Sequence, residues 1–211
     1  MKDIVVLVSG NGTNLQALIN ACKSKKIKHG QIKMVICSNL NAFALKRAKI
    51  ANIETAVISK QKFQSNELFN KCLLEKLKKI NPHLIVLAGF MHIISPEIVA
   101  YFKNKIINIH PSLIPSFCGM GYFGLNVHKK VLERGVKITG ATVHFVNEHA
   151  DAGPIIAQKA VEITEKDTPQ TLQKKVMQQA EWQLLPQAVE WFCSEKIKIS
   201  NNKVFIERNQ I

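Results

Sequence analysis

The chain has 211 residues, of which 46% are hydrophobic and 7% aromatic, and its formal net charge is +14. This length suits one sizeable domain with a buried core. The cysteines are scattered, which argues against a disulfide framework, and no paired Cys or His spacing indicates a metal site. No apolar run approaches the roughly 20 residues that a helix needs to span a bilayer.

The positive charge comes mainly from lysines, which we interpret as a solvated surface that attracts anionic substrates. No helix-turn-helix, zinc finger or aromatic RNA-binding signature accompanies it, so no specific nucleic-acid partner is predicted. The sequence starts at Met1 and enters a strand without a charged leader and cleavage site. We therefore expect a cytoplasmic protein that does not contact membranes, as a monomer or a homodimer.

Short apolar runs alternate with helical patterns through the first half of the chain. Strands are predicted at 4–8, 34–37, 55–58 and 84–88, and helices at 15–23, 42–51 and 65–79, with a short helix after Ser95 and Pro96. This order predicts the α/β class: a doubly wound, mostly parallel sheet with helices on both faces, in the manner of a Rossmann fold.

The second half begins with a strand at 106–110 that ends in polar residues, followed by a loop rich in proline and glycine at 111–125. A helix at 127–133, strands at 139–146 and 155–161, a long helix at 169–194 and a hairpin at 197–206 complete the prediction. No internal repeat or low-complexity linker interrupts the chain. One domain covering residues 1–211 is therefore expected.

The turn Ser9-Gly10-Asn11-Gly12-Thr13-Asn14 lies between the first strand and the first helix. Backbone N–H groups and a helix N-terminus face a ligand at this place in an open α/β sheet. The Walker lysine is absent, Leu15 replaces the third glycine of the dinucleotide fingerprint, and no acidic residue follows the second strand. A phosphomonoester is the favoured ligand, and a capped turn without a ligand stays open as the alternative.

Asn108 and His110 stand two positions apart at the end of a strand, so both project to the same side. Their N–H groups suit the oxyanion of a tetrahedral intermediate, and the imidazole suits proton transfer. Asp151, in the turn 149–154, could approach His110, favour its charged form and organise a proton-carrying water. The alternatives are a polar pair that serves loop backbone and an aspartate in an ordinary turn.

Several runs together resemble one known family, the phosphoribosylglycinamide formyltransferases of purine synthesis. The similarity extends over almost the whole chain, and the runs that carry it are 8–17, 87–91, 108–117, 140–146 and 151–156. Asn108-Ile109-His110-Pro111-Ser112 with the distant turn Asp151-Ala152-Gly153 is specific to folate-dependent formyl transfer and hydrolysis. The first turn narrows the acceptor to a phosphoribosyl compound.

This resemblance implies transfer of the formyl group of the co-substrate 10-formyltetrahydrofolate to the amine of 5-phosphoribosylglycinamide, without a metal. It implies Asn108, His110 and Asp151 as catalytic residues, with His110 as the general acid that Asp151 holds charged. The implied ribonucleotide-binding residues are Gly12, Thr13, Asn14, Gln178, Gln179, Ala180 and Glu181. The implied folate-binding residues are Met91, His92, Ile93, Ile94, Asn108, Asn147, Glu148, His149, Ala150 and Asp151. Residues 1–100 would form the phosphate-binding half and 101–211 the catalytic and folate-binding half.

The chain departs from the family pattern at a few places around this core. His92 and Asn66 stand where basic residues are usual, Cys118 replaces a frequent lysine, and the loop 119–126 is about two residues longer than the common form. His144 matches the family and is expected to be a buried supporting residue. These differences bear on the folate tail and on loop geometry rather than on the reaction.

Other functions share parts of this pattern. A 10-formyltetrahydrofolate deformylase uses the same catalytic residues with water as the acceptor, but normally carries an N-terminal regulatory domain. Methionyl-tRNA formyltransferases usually carry a C-terminal tRNA-binding domain. The chain could also be a non-catalytic protein that binds folate or a nucleotide, or a basic protein that binds nucleic acid. Neither function would require Asn108, His110 and Asp151 together.

Overall fold

The apolar runs of the sequence form the strands of a seven-stranded sheet in the computed structural model, which describes residues 1–207. The strands of this sheet are β1 (Lys2–Val8), β2 (Gly30–Cys37), β3 (Glu54–Val57), β4 (Leu84–Leu87), β5 (Ile106–His110), β6 (Ile138–Phe145) and β7 (Ile155–Glu162). They lie in the order β3-β2-β1-β4-β5-β6-β7. The first five are parallel to one another, whereas β6 is antiparallel to both of its neighbours, β5 and β7.

Helices cover both faces of this sheet, as predicted. They are α1 (Thr13–Lys23), α2 (Phe43–Ile50), α3 (Asn66–Ile80), α4 (Pro96–Tyr101), α5 (Leu125–Arg134), α6 (Pro169–Val176) and α7 (Trp182–Cys193). Alternate residues of β1 point to opposite sides, so Val6 belongs to one apolar core and Leu7 to the other. Among the described helices, none is both long and apolar enough to traverse a bilayer.

The end of the chain differs from the prediction in one respect. The helix expected over 169–194 is interrupted by a π-helical turn, Met177–Glu181, between α6 and α7. A π-turn accommodates an extra residue, and here it accompanies the burial of the Glu181 side chain against the first turn. The predicted hairpin is confirmed as β8 (Ile197–Ser200) and β9 (Lys203–Ile206).

The strand order determines where a ligand can bind. The chain leaves β1 toward β2 on one side and later returns to β4 on the other, so the order reverses between β1 and β4. The loops after these strands diverge at this point and leave a crevice beyond the carboxyl ends of the strands. Both predicted ligand-binding regions follow strands at this edge.

Candidate active site

A cavity of about 370 Å³ opens beside the carboxyl ends of β4 and β5. Every residue predicted to bind folate lines it: Met91, His92, Ile93, Ile94, Asn108, Asn147, Glu148, His149, Ala150 and Asp151. His110 lines the same cavity, together with residues 119–124. The structure therefore brings the predicted catalytic and folate-binding residues, which are distant in sequence, around one space.

Asp151 lies between the two polar residues of β5. One carboxylate oxygen, Oδ2, is 3.4 Å from Nδ1 of His110, and the other, Oδ1, is 3.4 Å from Nδ2 of Asn108. His110 is buried, with 4% of its surface exposed. This arrangement can hold a proton between an imidazole and a carboxylate beside an amide donor.

The turn that carries Asp151 is held against the end of β6. Asp151 has a positive φ of 53°, and a Cβ on Gly153 would lie 1.8 Å from the carbonyl oxygen of Phe145. Only glycine fits this close backbone approach. The Asp-Ala-Gly sequence therefore matters locally because it places the carboxylate opposite β5.

His144 connects Asn108 to Asp151 from the adjacent strand. It pairs with Asn108 across β5 and β6, is 1% exposed, and its Nδ1 is 2.8 Å from the Phe145 carbonyl oxygen. That contact makes Nδ1 the donor, and Nε2 lies 3.2 Å from Nδ2 of Asn108 and 3.5 Å from Oδ1 of Asp151. His144 is thus buried as predicted, and it also orients the Asn108 amide.

The loop after β5 contacts both His110 and Asp151. Nε2 of His110 donates to the carbonyl oxygen of Phe117 at 2.9 Å, and the backbone N–H of Gly119 donates to Oδ2 of Asp151 at 2.9 Å. The last part of the predicted loop extension is helical, because α5 begins at Leu125. The loop is therefore fastened to both members of the His110 and Asp151 pair.

Burial lowers the pKa of His110 below its ordinary value, although the Asp151 carboxylate and the Phe117 carbonyl oppose this effect. The prediction that Asp151 keeps His110 charged is therefore wrong in this structure, because desolvation outweighs the carboxylate. Burial also raises the pKa of Asp151, but its contacts with His144 and His110 and the hydrogen bond from the Gly119 N–H bring its net pKa below the ordinary value. A neutral imidazole beside an ionised carboxylate is ready to accept a proton at Nδ1.

Buried polar groups support the start of the loop. The hydroxyl of Thr142 donates to the Ser112 carbonyl oxygen at 2.7 Å and accepts from the backbone N–H of Ile114 at 3.1 Å. Nε2 of Gln158 donates to the same hydroxyl and to the Ile114 carbonyl oxygen. This network fixes the chain just before Phe117. Sequence reasoning missed it, since a threonine within a strand gives no signal of such a role.

The first turn binds to the late helix through side chains. Nδ2 of Asn14 donates to Oε2 of Glu181 at 2.6 Å, and Thr13 Oγ1 lies 3.5 Å from the sulfur of Met177. Ala180 is buried, whereas Gln178 and Gln179 are exposed and make no side-chain hydrogen bond to the turn. The structure thus brings together Gly12, Thr13, Asn14 and Glu181, and leaves the two glutamines outside this contact.

Glu181 is buried, and this burial raises its pKa to about 7 although the Asn14 hydrogen bond opposes the shift. Oδ1 of Asn14 is buried and has no hydrogen-bond partner among the described residues. A buried acceptor without a partner costs free energy.

Ser9 joins the two predicted binding regions. Its hydroxyl accepts from the backbone N–H of Met91 at 2.8 Å, and its backbone N–H donates to the Gly89 carbonyl oxygen. The first turn thereby fixes the start of the segment that lines the cavity. No sequence pattern indicates this link, because it depends on β1 and β4 being neighbours.

The departures from the family pattern lie at the edges of the site. The His92 ring is tilted against the Phe69 ring, with centroids 5.1 Å apart. Asn66 is exposed at the start of α3, and the Cys118 thiol donates to the Pro115 carbonyl oxygen. Among residues 1–207, no cluster of His, Cys, Asp and Glu side chains suits a metal ion.

Comparison with known proteins agrees with this geometry. The model of the formyl transferase family matches residues 2–189. The phosphoribosylglycinamide formyltransferase of Escherichia coli (strain K12) is 37% identical over 209 residues, which is 99% of this chain and 95% of that protein.

Solved structures give the same picture. Glycinamide ribonucleotide transformylase 1 from Symbiobacterium toebii superimposes with a TM-score of 0.91 at 36% identity, covering 98% of this chain and 94% of that one. A formyltetrahydrofolate deformylase from Pseudomonas syringae is more distant, with a TM-score of 0.85 and 25% identity, and covers 97% of this chain but 65% of its own.

Proposed function

Since this chain belongs to the formyl transferase family and, within it, to the phosphoribosylglycinamide formyltransferases, we propose that Asn108, His110 and Asp151 carry its reaction. That reaction moves the formyl group of 10-formyltetrahydrofolate to the amine of 5-phosphoribosylglycinamide, a step of purine biosynthesis. The observation that carries the assignment is the Asp151 carboxylate, which lies 3.4 Å from both the His110 ring and the Asn108 amide.

The cavity beside these residues suits the folate co-substrate. Its walls combine apolar side chains such as Leu87, Ile94 and Val146 with the backbone of the 147–151 turn. Flat heterocycles bind well in clefts that are largely apolar with a few placed polar groups. The co-substrate supplies an activated formyl carbon, and the protein has to stabilise the charge and transfer the proton.

The catalytic residues handle the charge and the proton of the transfer. As the acceptor nitrogen bonds to the formyl carbon, the Asn108 N–H that makes only a long 3.4 Å contact to Asp151 would stabilise the oxyanion that forms. His110 is neutral before the reaction, so Nδ1 can take up the proton that the amine loses, and Asp151 stabilises the resulting imidazolium. Breakage of the bond between the formyl carbon and the folate nitrogen is completed when that nitrogen receives the proton.

The first turn and Glu181 suit the phosphoribosyl part of the acceptor. Gly12, Thr13 and Asn14 present the N-terminus of α1, where an anion is favoured. Oδ1 of Asn14, a buried acceptor without a partner, suits a ribose hydroxyl. The division into a phosphate-binding half and a catalytic half remains a proposal, because Met91 and Glu181 each serve the site of the opposite half.

One assay tests this function against its nearest rival. Purified protein is given 10-formyltetrahydrofolate with and without 5-phosphoribosylglycinamide, and the release of tetrahydrofolate is followed. We expect release only with the ribonucleotide, together with one equivalent of the formylated product. Equal release without the ribonucleotide would instead assign a deformylase that uses water.

A further inference from the structure

The first turn has a cationic partner that the sequence motif does not include. Arg47 of α2 donates from Nε to the Asn11 carbonyl oxygen at 2.9 Å, from Nη2 to Asn11 Oδ1 at 3.4 Å, and from Nη1 to Gln16 Oε1 at 3.1 Å. All these acceptors are neutral. None of the ion pairs found within residues 1–207 includes Arg47. Its charge is therefore not compensated by a carboxylate there.

This guanidinium is held in place by the way α2 packs on the turn. The backbone N–H of Ala44 donates to the Gly10 carbonyl oxygen at 3.2 Å, and a Cβ on Gly12 would lie 2.7 Å from the Cβ of Ala44. The guanidinium also lies over the Phe43 ring, 4.8 Å from its centroid. Little side-chain entropy remains to be lost when a ligand meets a cation fixed in this way.

The guanidinium also has bonding capacity left. Arginine has five N–H bonds, and the contacts to Asn11 and Gln16 use one on each nitrogen, so Nη1 and Nη2 each keep one. Arg47 and Thr13 line the same cavity of about 840 Å³, whose lining also includes Lys25, Lys26 and Lys28 and no Asp or Glu. A phosphate at the turn would thus share this cavity with a fixed arginine, and no carboxylate belongs to the lining of the cavity.

The geometry points to Arg47 as the residue that supplies positive charge to the acceptor's phosphate at the first turn. This inference rests on the proposed function, because it takes the phosphate to be that of the ribonucleotide acceptor. The backbone N–H groups and the α1 dipole provide only partial charges, and the turn has no lysine of its own. Arg47 completes the phosphate site from a neighbouring βα unit.

The competing role for Arg47 is purely structural: it could hold Asn11 without touching the substrate. The variants Arg47→Gln and Arg47→Lys separate these roles. Lysine keeps the positive charge but lacks the guanidinium N–H groups that bind Asn11 at two positions. Lys49→Gln, an exposed residue at the end of α2, is the matched control for the loss of one charge. Melting temperatures of all variants establish that each is folded.

The measurement compares acceptors with and without the phosphate. For Arg47→Gln we expect kcat/KM for 5-phosphoribosylglycinamide to fall about 10- to 100-fold, mainly through KM, as for the loss of hydrogen bonds to a charged group. The phosphate-free glycinamide riboside should be used equally well by wild type and variant, and the KM for 10-formyltetrahydrofolate should not change. Arg47→Lys should recover part of the loss, and Lys49→Gln should behave as wild type.

A direct binding experiment separates this inference from the proposed function. Ribose 5-phosphate is titrated calorimetrically into wild type and Arg47→Gln, and weaker binding to the variant by a similar factor is expected even if no turnover is found. The inference is overturned if ribose 5-phosphate binds both proteins equally. It is also overturned if Arg47→Gln lowers kcat/KM by the same factor for the phosphorylated and the phosphate-free acceptor, since Arg47 would then serve only the turn.

Discussion

Glu181 makes the stability of this protein depend on pH in a way that a single substitution removes. The side chain is 5% exposed, accepts one hydrogen bond from Asn14, and burial raises its pKa from 4.5 to about 7. Replacing it by glutamine keeps an oxygen that can accept from Asn14 but removes the titration. The change therefore isolates the effect of burying a carboxylate.

The sign follows from proton binding in the two states. Between pH 4.5 and about 7 the folded protein holds a proton on Glu181 that the unfolded chain has lost. The free energy of unfolding therefore falls as the pH rises through this interval and is constant, as far as Glu181 is concerned, outside it. Each pH unit corresponds to about 1.4 kcal/mol, so the whole interval corresponds to about 3 kcal/mol.

Urea unfolding at several values between pH 4.5 and 8.5 measures this effect. Wild type, Glu181→Gln and the control Glu162→Gln, an exposed residue of β7, are compared at each pH. Relative to wild type, Glu181→Gln should gain about 3 kcal/mol across the series, whereas Glu162→Gln should run parallel to wild type. Parallel curves for Glu181→Gln would show that the carboxyl is not buried as described and would refute the reasoning.

Other substitutions test the neighbouring features. His110→Ala and Asp151→Asn should each lower single-turnover rates at least about 100-fold, the usual scale for acid–base and oxyanion groups; near-normal rates in both would contradict their roles. Gly153→Ala should lower the free energy of unfolding by about 1 to 3 kcal/mol and also reduce kcat, because its Cβ would meet the Phe145 carbonyl oxygen at 1.8 Å; unchanged urea unfolding and activity would argue against this close approach. Thr142→Val removes a buried hydroxyl with several hydrogen bonds, and about 1 to 3 kcal/mol should be lost in urea unfolding; a Thr142→Ser variant that lost as much would point to packing instead.

Much of the fold could be predicted from the sequence because its signals are local. Strands such as β1 and β4 are short apolar runs, and Ser65 and Ser95 accept hydrogen bonds at the starts of α3 and α4. The antiparallel pairing of β6 with β5 and β7 and the π-turn before α7 were not predicted. Both depend on which distant segments pack together, and a helical pattern does not show where one residue is added.

The candidate site divides in the same way. Asn108 and His110 share a side of β5 because of the two-residue period of a strand, and the first turn carries its glycines in sequence; these features the sequence determined by itself. Only the tertiary structure decided three other contacts. They are the distance of 3.4 Å from Asp151 to both residues, the hydrogen bond between Ser9 and Met91, and the contact of Arg47 with Asn11. The tertiary structure also decided the direction in which the pKa of His110 shifts. A pKa depends on desolvation and on neighbouring groups, and here these neighbours come from several strands and loops that are distant in the sequence.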